Sequence, residues 1–196
     1  WKNFRQYSSI VPAGRQQVEA SLSAPMQRYR LLAKYDLVCW DGDPDSLSVK
    51  IYDWKTSQRR PTRQWLEHRL QTRVYPYLLA QAGNAIIRDH PLNPEQIEMV
   101  YWFAEQPREP QVFAYSAEQF QADHDYLLGL VDEIEALSGA DFQLTADESK
   151  CKYCTYRSLC DRGISAGRID PGELMDDSPG SEDFELDFDQ VAEIEF

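Results

Sequence analysis

The run Tyr35-Asp36-Leu37-Val38-Cys39-Trp40, followed by Val49-Lys50-Ile51-Tyr52-Asp53-Trp54-Lys55, decides how this chain folds. Both runs are apolar and alternate with period two, as strands do. Asp41-Gly42-Asp43-Pro44-Asp45 between them is a turn. Upstream, Gln17 to Ser23 is a further strand with Val18, Ala20 and Leu22 on one face, ended by Pro25. In Tyr29 to Trp40 the alternation puts Tyr29, Leu31, Ala33, Tyr35, Leu37 and Cys39 on one face. Leu32, Asp36 and Val38 fall on the other. The expectation is a three-stranded antiparallel meander.

Downstream, Pro61-Thr62 opens a helix with Thr62 as N-cap, and Leu66, Leu70, Val74 and Leu78 recur at helical spacing. Pro76 is expected to kink or break that helix, and Gly83 suits the position just past its end. Ile97 to Ala104 reads as a central strand and Gln111 to Tyr115 as its partner. Ser116 with Gln119 resembles a capping box. It starts a helix to about Leu137 that buries Phe120, Leu127, Leu130, Val131 and Ile134. The order βββαββα predicts a mixed α/β domain with helices on a central sheet.

Asp53 and Lys55 lie two apart on one strand and point the same way, and Asp36 sits on the neighbouring strand. Two carboxylates can hold Mg²⁺ or Mn²⁺, with the main-chain carbonyl of Trp54 as a further ligand. A cation there would lower the pKa of a water and neutralise phosphate charge. Lys55 would orient the water or stabilise the transition state. An exposed hairpin with ordinary charged alternation would look similar. Two features argue against that: Asp53 and Lys55 end an apolar strand, and a basic helix carrying Gln71 and Tyr75 follows at once.

Composition bounds the rest. The net charge of −13 disfavours a nucleic-acid enzyme until its distribution is read. Asp170 to Phe196 holds 11 acids and no Lys or Arg, leaving 22 acids against 20 Lys and Arg elsewhere. Lys50 to Arg73 carries seven basic residues against Asp53 and Glu67. No apolar run approaches the roughly 20 residues of a membrane span, so no membrane partner is expected. The chain starts at Trp1 with neither a Met nor a signal peptide, and is expected to continue upstream. Three of the four cysteines fall within ten residues, which points to a metal site in a reducing, cytoplasmic compartment.

Asp36, the triplet Asp53-Trp54-Lys55 and Gln71-Thr72-Arg73-Val74-Tyr75 together resemble the PD-(D/E)xK nuclease superfamily. They are most similar to its RecB-type branch, over about residues 17–160. The resemblance implies a restriction-endonuclease-like core in which Asp36 and Asp53 bind metal and Lys55 is catalytic. It also implies that Gln71 and Tyr75, one helical turn apart, position DNA or the attacking water. Many members carry a further His or Glu ligand on an upstream helix. No His precedes His68 here, and Glu19 is a weak substitute that reads as structural.

Cys151-x₂-Cys154-x₅-Cys160 supplies three thiolates to one metal centre. Zinc and iron–sulfur clusters both normally take four ligands, and Cys39 reads as a core thiol. The resemblance extends to AddB-like and CRISPR-adaptation nucleases. It implies a 4Fe–4S cluster acting as a structural clamp, with its fourth Cys upstream of this chain.

Arg59, Arg60, Arg63, Arg69 and Arg73 suit a phosphate backbone, while Trp65 reads as core rather than as a stacking platform. The tail from Asp170 cannot bury enough apolar area to fold alone. It is a solubilising segment, a docking peptide for a protein partner, or a DNA mimic over the basic helix.

The expected organisation is an N-terminal remnant over 1–16 and a nuclease core over 17–140. A cysteine module follows over 141–169, then a disordered acidic tail over 170–196. The expected function is metal-dependent DNA hydrolysis in repair, recombination or defence, alongside a helicase or other partner. The alternatives are a weak or inactive DNA-binding module of the same fold, and a Cys-metal structural protein without nuclease chemistry.

Overall fold

The computed structural model describes residues 14–43, 46–56, 60–87, 92–139, 143–151, 154 and 156–162. Five strands and three helices follow the expected order: β1 (Arg15–Met26), β2 (Tyr29–Asp41), β3 (Ser48–Lys55), α1 (Arg63–His68), α2 (Leu70–Ala82), β4 (Ile97–Phe103), β5 (Gln111–Ala114) and α3 (Ala117–Ala136). The sheet order is β1-β2-β3-β4-β5. The first three strands form the antiparallel meander, and β4 pairs antiparallel with β5. β3 and β4 are parallel, so their connection must cross over the sheet, and α1 and α2 supply that crossover. This is the mixed sheet flanked by helices of a restriction-endonuclease-like α/β fold.

Local signals act as read at the caps. The Thr62 hydroxyl accepts from the Trp65 N–H, and the Ser116 hydroxyl accepts from the Gln119 N–H. The prolines behave differently from expectation. Pro25 does not end β1 but pairs with Arg30 inside it, which an edge strand permits because its outer N–H row needs no partner. Pro76 lies inside a continuous α2. The break falls instead at Arg69, whose extended backbone (φ −66, ψ 139) separates α1 from α2. The Arg69 N–H and the Thr72 hydroxyl both donate to the Leu66 carbonyl, so the end of α1 is satisfied at the junction.

The main core lies between one sheet face and the helices, where Leu66, Leu78, Leu79, Ile51, Ile97 and Met99 are wholly buried. Each such side chain contributes roughly 1.5–3 kcal/mol relative to exposure. In α3, Phe120, Leu127, Leu130 and Val131 pack on this core. Ile134 does not: it is 61% exposed, because the last turns of α3 run past the sheet towards the tip of the β1–β2 hairpin. There Gln27 bonds Asp132, and Arg28 pairs with Glu135.

The alternation read along β2 does not hold across Asp36. Ala33 and Tyr35 face the main core, but after Asp36 it is Val38 and Trp40 that continue there. Leu37 and Cys39 turn to the opposite face, with Tyr52, Val100 and Trp54. Strand parity therefore changes by one residue at Asp36, an event that exchanges the two faces of a strand. Cys39 is a buried thiol of this smaller cluster.

The chain divides into two compact units, Trp1–Leu144 and Thr145–Phe196. In the second, short 3₁₀ turns span Glu148–Cys151 and Arg157–Cys160. Asp161 closes the latter in a left-handed conformation (φ 54). The Arg162 guanidinium donates to the Thr145 carbonyl at 2.6 Å and to the Cys151 sulfur at 3.2 Å. The N-terminal remnant before Gly14 and the acidic tail lie outside the described residues. Among the described residues, no helix is long and apolar enough to cross a membrane.

Candidate active site

The site forms where two strands part. The β2–β3 ladder runs from Asp41↔Ser48 to Leu37↔Tyr52 and stops, while β3 stays paired with β4 as far as Lys55↔Phe103. Two residues past the last ladder pair, the Trp54 N–H is given to the Asp36 carboxylate at 2.9 Å instead of to a β2 carbonyl. A side chain thus replaces the ladder bond, and the opening between the strands is lined with carboxylate.

Asp53 and Lys55 share the helix-facing side of β3, as expected, with Nζ–Oδ2 at 2.8 Å. The Gln71 amide, in the first turn of α2, donates to Asp53 Oδ1 and accepts from Lys55 Nζ at 3.2 Å. The α1–α2 break is what delivers Gln71 to this position. Asp53 is 5% exposed. Its buried Oδ2 has the Lys55 ammonium, 2.8 Å away, as its charge partner. Burial, the main cause, raises the Asp36 carboxyl above its usual range. The Trp54 N–H opposes the shift, and Asp53 adds to it.

Tyr75 packs on Tyr35 with ring centroids 4.9 Å apart. Its hydroxyl donates to the Lys34 carbonyl at 2.8 Å and ties α2 to β2 two residues from Asp36. Burial pushes this phenol up to about 12, against the neighbouring Gln71 amide. Trp54 can offer the site only its backbone, because its ring stacks on Tyr52 and meets Trp102 edge-on across the sheet.

The arginines have separate surroundings. Arg73 pairs with the wholly buried Asp123 at 2.9 Å and lies over Tyr126. Arg63 bonds Glu67 and the Val112 carbonyl, and Arg60 pairs with Glu109. Arg69 lies over the Trp65 ring at 4.6 Å, and its charge is felt at Tyr75 and Tyr101 beside the site. Among the described residues it pairs with no carboxylate. Trp65 is partly buried against the core. Arg59 lies outside the described residues.

A family model for the PD-(D/E)XK nuclease superfamily matches residues 2–161. The chain belongs to the PD-(D/E)XK nuclease superfamily. No curated protein matches it. The PD-(D/E)XK chain is similar to a solved structure titled "Crystal structure of SSO0001", at 14% identity and a TM-score of 0.48. That match covers 84% of this chain and 69% of the other.

The superfamily is one of nucleases that typically use Mg²⁺ or Mn²⁺. The donor set of this PD-(D/E)XK site suits such an ion by its chemistry: two carboxylates, Asp36 and Asp53, at a strand opening beside the Lys55 ammonium. Among the described residues, no three carboxylate, imidazole or thiol groups are already gathered at ligating distance. Cys151, Cys154 and Cys160 are free thiols.

Sequence reasoning missed the Asp123 cluster, in which Arg73, Gln119 and Tyr115 all donate to one carboxylate. A signal was present, because Asp123 stands on the apolar stripe of α3, one turn before Leu127.

Proposed function

We propose that this chain hydrolyses phosphodiester bonds in DNA with the help of Mg²⁺ or Mn²⁺, as a RecB-type member of the superfamily. One observation carries the reading: Asp53, Lys55 and Gln71 form a closed polar triad beside Asp36 at the parting of β2 and β3. Asp36, Asp53 and the Trp54 backbone would hold the cation, which when bound neutralises phosphate charge and makes hydroxide available near neutral pH.

Lys55 stays next to the reacting phosphate because Gln71 fixes its ammonium group, and it stabilises negative charge that develops there. Gln71 also holds one oxygen of Asp53, and the other, paired with Lys55 at 2.8 Å, is the one that would turn to the cation. Tyr75 acts one step away. Its hydroxyl fixes the Lys34 backbone and hence the approach of Asp36. Arg69, which unlike Arg60, Arg63 and Arg73 pairs with no carboxylate among the described residues, is the best placed of these four to meet a DNA phosphate. Arg60 and Arg63 would add to that path, and Arg73 serves mainly to neutralise Asp123.

The spacing of Cys151, Cys154 and Cys160 supports an iron–sulfur clamp. The described residues offer three thiols that are not gathered at ligating distance, so no step of the reaction is assigned to it. Iron and sulfide analysis of the purified protein tests the clamp separately.

Cleavage of single- and double-stranded DNA, with and without Mn²⁺ or Mg²⁺, tests the main reading. The expected result is metal-dependent cleavage that falls about 100-fold or more in Lys55→Ala. Equal cleavage by wild type and Lys55→Ala would overturn it.

A further inference from the structure

We propose that the cavity between α1, α2, β5 and the start of α3 takes one unpaired base of the DNA strand held at the active site. This rests on the reading of the chain as a DNA-cleaving enzyme, and it narrows the substrate to DNA with an unpaired base near the cut. The cavity measures about 350 Å³, at the small end of the range for sites that hold a small molecule.

The chemistry of the lining selects the occupant. The floor is the wholly buried Asp123. Arg73 at 2.9 Å and Gln119 at 2.8 Å donate to one of its oxygens, and Tyr115 at 3.0 Å donates to the other. Arg73 cancels the charge of Asp123, and on the wall Glu67 cancels that of Arg63. These two pairs leave the described lining with no formal net charge. A phosphate or a metal ion would find its countercharge already taken. A neutral heterocycle with donors and acceptors along its edge meets no such obstacle.

Arg63 supplies a plane for that ring. Its guanidinium lies over Phe113, 4.2 Å from the ring centroid, and is pinned by Glu67 and by the Val112 carbonyl at 2.9 Å. The Arg63 side chain is nevertheless 54% exposed. A planar cation held against one ring, with half its surface bare, is a stacking platform for a second. His68, on the same lining, gives its Nδ1–H to the Gln64 carbonyl at 2.7 Å, which leaves Nε2 of the neutral ring to accept a hydrogen bond. Bases inside a duplex keep their edges paired and their faces stacked, so only an unpaired or extruded base can enter.

Position ties the cavity to the reaction. Thr72 lines it, and the preceding residue, Gln71, holds Asp53 and Lys55. The Thr72 hydroxyl meets the Tyr101 hydroxyl at 2.7 Å, and Lys55 Nζ lies over the Tyr101 ring at 5.5 Å. Cavity and triad therefore flank the first turn of α2, within reach of one strand.

The test is binding of a short fluorescent single strand to the metal-free full chain, read by anisotropy, with one abasic position moved along the strand. One position should stand out, its missing base weakening binding about fivefold or more, as loss of one stacked base does. Ala114→Trp fills the cavity from β5, and Arg63→Lys keeps the charge but removes the plane. Each should weaken binding of the intact strand about fivefold or more and abolish the effect of the abasic position. The salt slope should stay unchanged, because no phosphate contact is lost. A scan in which no position stands out, or an Ala114→Trp chain that binds like wild type, overturns the assignment. If Ala114→Trp does not fold, Arg63→Lys decides in the same way. A flat scan overturns it even where a free deoxynucleoside monophosphate raises the melting temperature, since the cavity would then hold a loose nucleotide. Failure of the parent reading looks different. If wild type cuts no DNA with Mn²⁺ or Mg²⁺, that reading fails and this one falls with it. If wild type cuts and Lys55→Ala does not, a flat scan refutes the base pocket alone.

Discussion

Gln71 shows how one amide organises the site. Its NH₂ serves Asp53 and its carbonyl serves Lys55, so both groups are held by a side chain that carries no charge. Removing it leaves the Asp53–Lys55 pair without the side chain that orients both groups. Gln71→Leu is therefore expected to lower cleavage roughly 10- to 100-fold, as loss of an orienting group typically does, with little change in melting temperature. Single-turnover rates at saturating metal check this; a rate equal to wild type would show that Gln71 positions nothing. The Asp53-Trp54-Lys55 triplet was legible in the chain because alternation alone puts positions 53 and 55 on one side of β3. The Gln71 contacts were not, because they depend on where α1 stops. Arg69 adopts an extended backbone there, and no residue near 69 is a strong helix breaker.

Among the elements, β2 misled the reading most. Its sequence alternates smoothly on both sides of Asp36, so nothing in the pattern announces that the faces exchange there. The cause is long-range: β3 leaves β2 at that point, and β1 kinks opposite it at Glu19. The order of strands and helices and both capped helix starts were readable, because those signals act within four residues. The α2–α3 contact was not readable in the same way. Asp123, on α3, accepts from Arg73 on α2 and from Tyr115 just past β5, and so locks these elements together. Truncating it would strand a guanidinium in a largely buried place. Asp123→Ala is expected to cost about 3 kcal/mol of stability. Denaturant melts should show this, with metal affinity unchanged in the folded protein. Arg69→Ala should do the reverse: it should leave stability intact, weaken DNA binding, and reduce the salt slope of that binding by about one. A stability loss in Arg69→Ala as large as that in Asp123→Ala would refute this division between the arginines.

For the molecule as a whole, charge and burial act in different pH ranges. The net charge of −13 is carried largely by Asp170 to Phe196, and it hides the basic run from Lys50 to Arg73 in which Asp53 and Lys55 lie. Stability at high pH rests instead on buried phenols. Tyr35, Tyr101 and Tyr115 are almost entirely shielded, and burial is the largest cause raising each hydroxyl. An unfolded tyrosine ionises near pH 10. Because the folded values lie higher, the unfolded chain releases these protons first. The linked stability is fully present below about pH 10 and is lost as the pH climbs beyond it. Tyr115 is the informative case, since the Asp123 carboxylate adds to the burial effect and accepts the Tyr115 hydroxyl at 3.0 Å. Tyr115→Phe removes that hydrogen bond and should melt lower than wild type at pH 8. It also removes a group that resists ionisation, so its melting temperature should fall less steeply between pH 10 and 11. The gap between the two proteins should therefore narrow with rising pH. Parallel curves would mean that Tyr115 ionises no differently in the folded chain than in the unfolded one, and that the alkaline loss arises at other phenols.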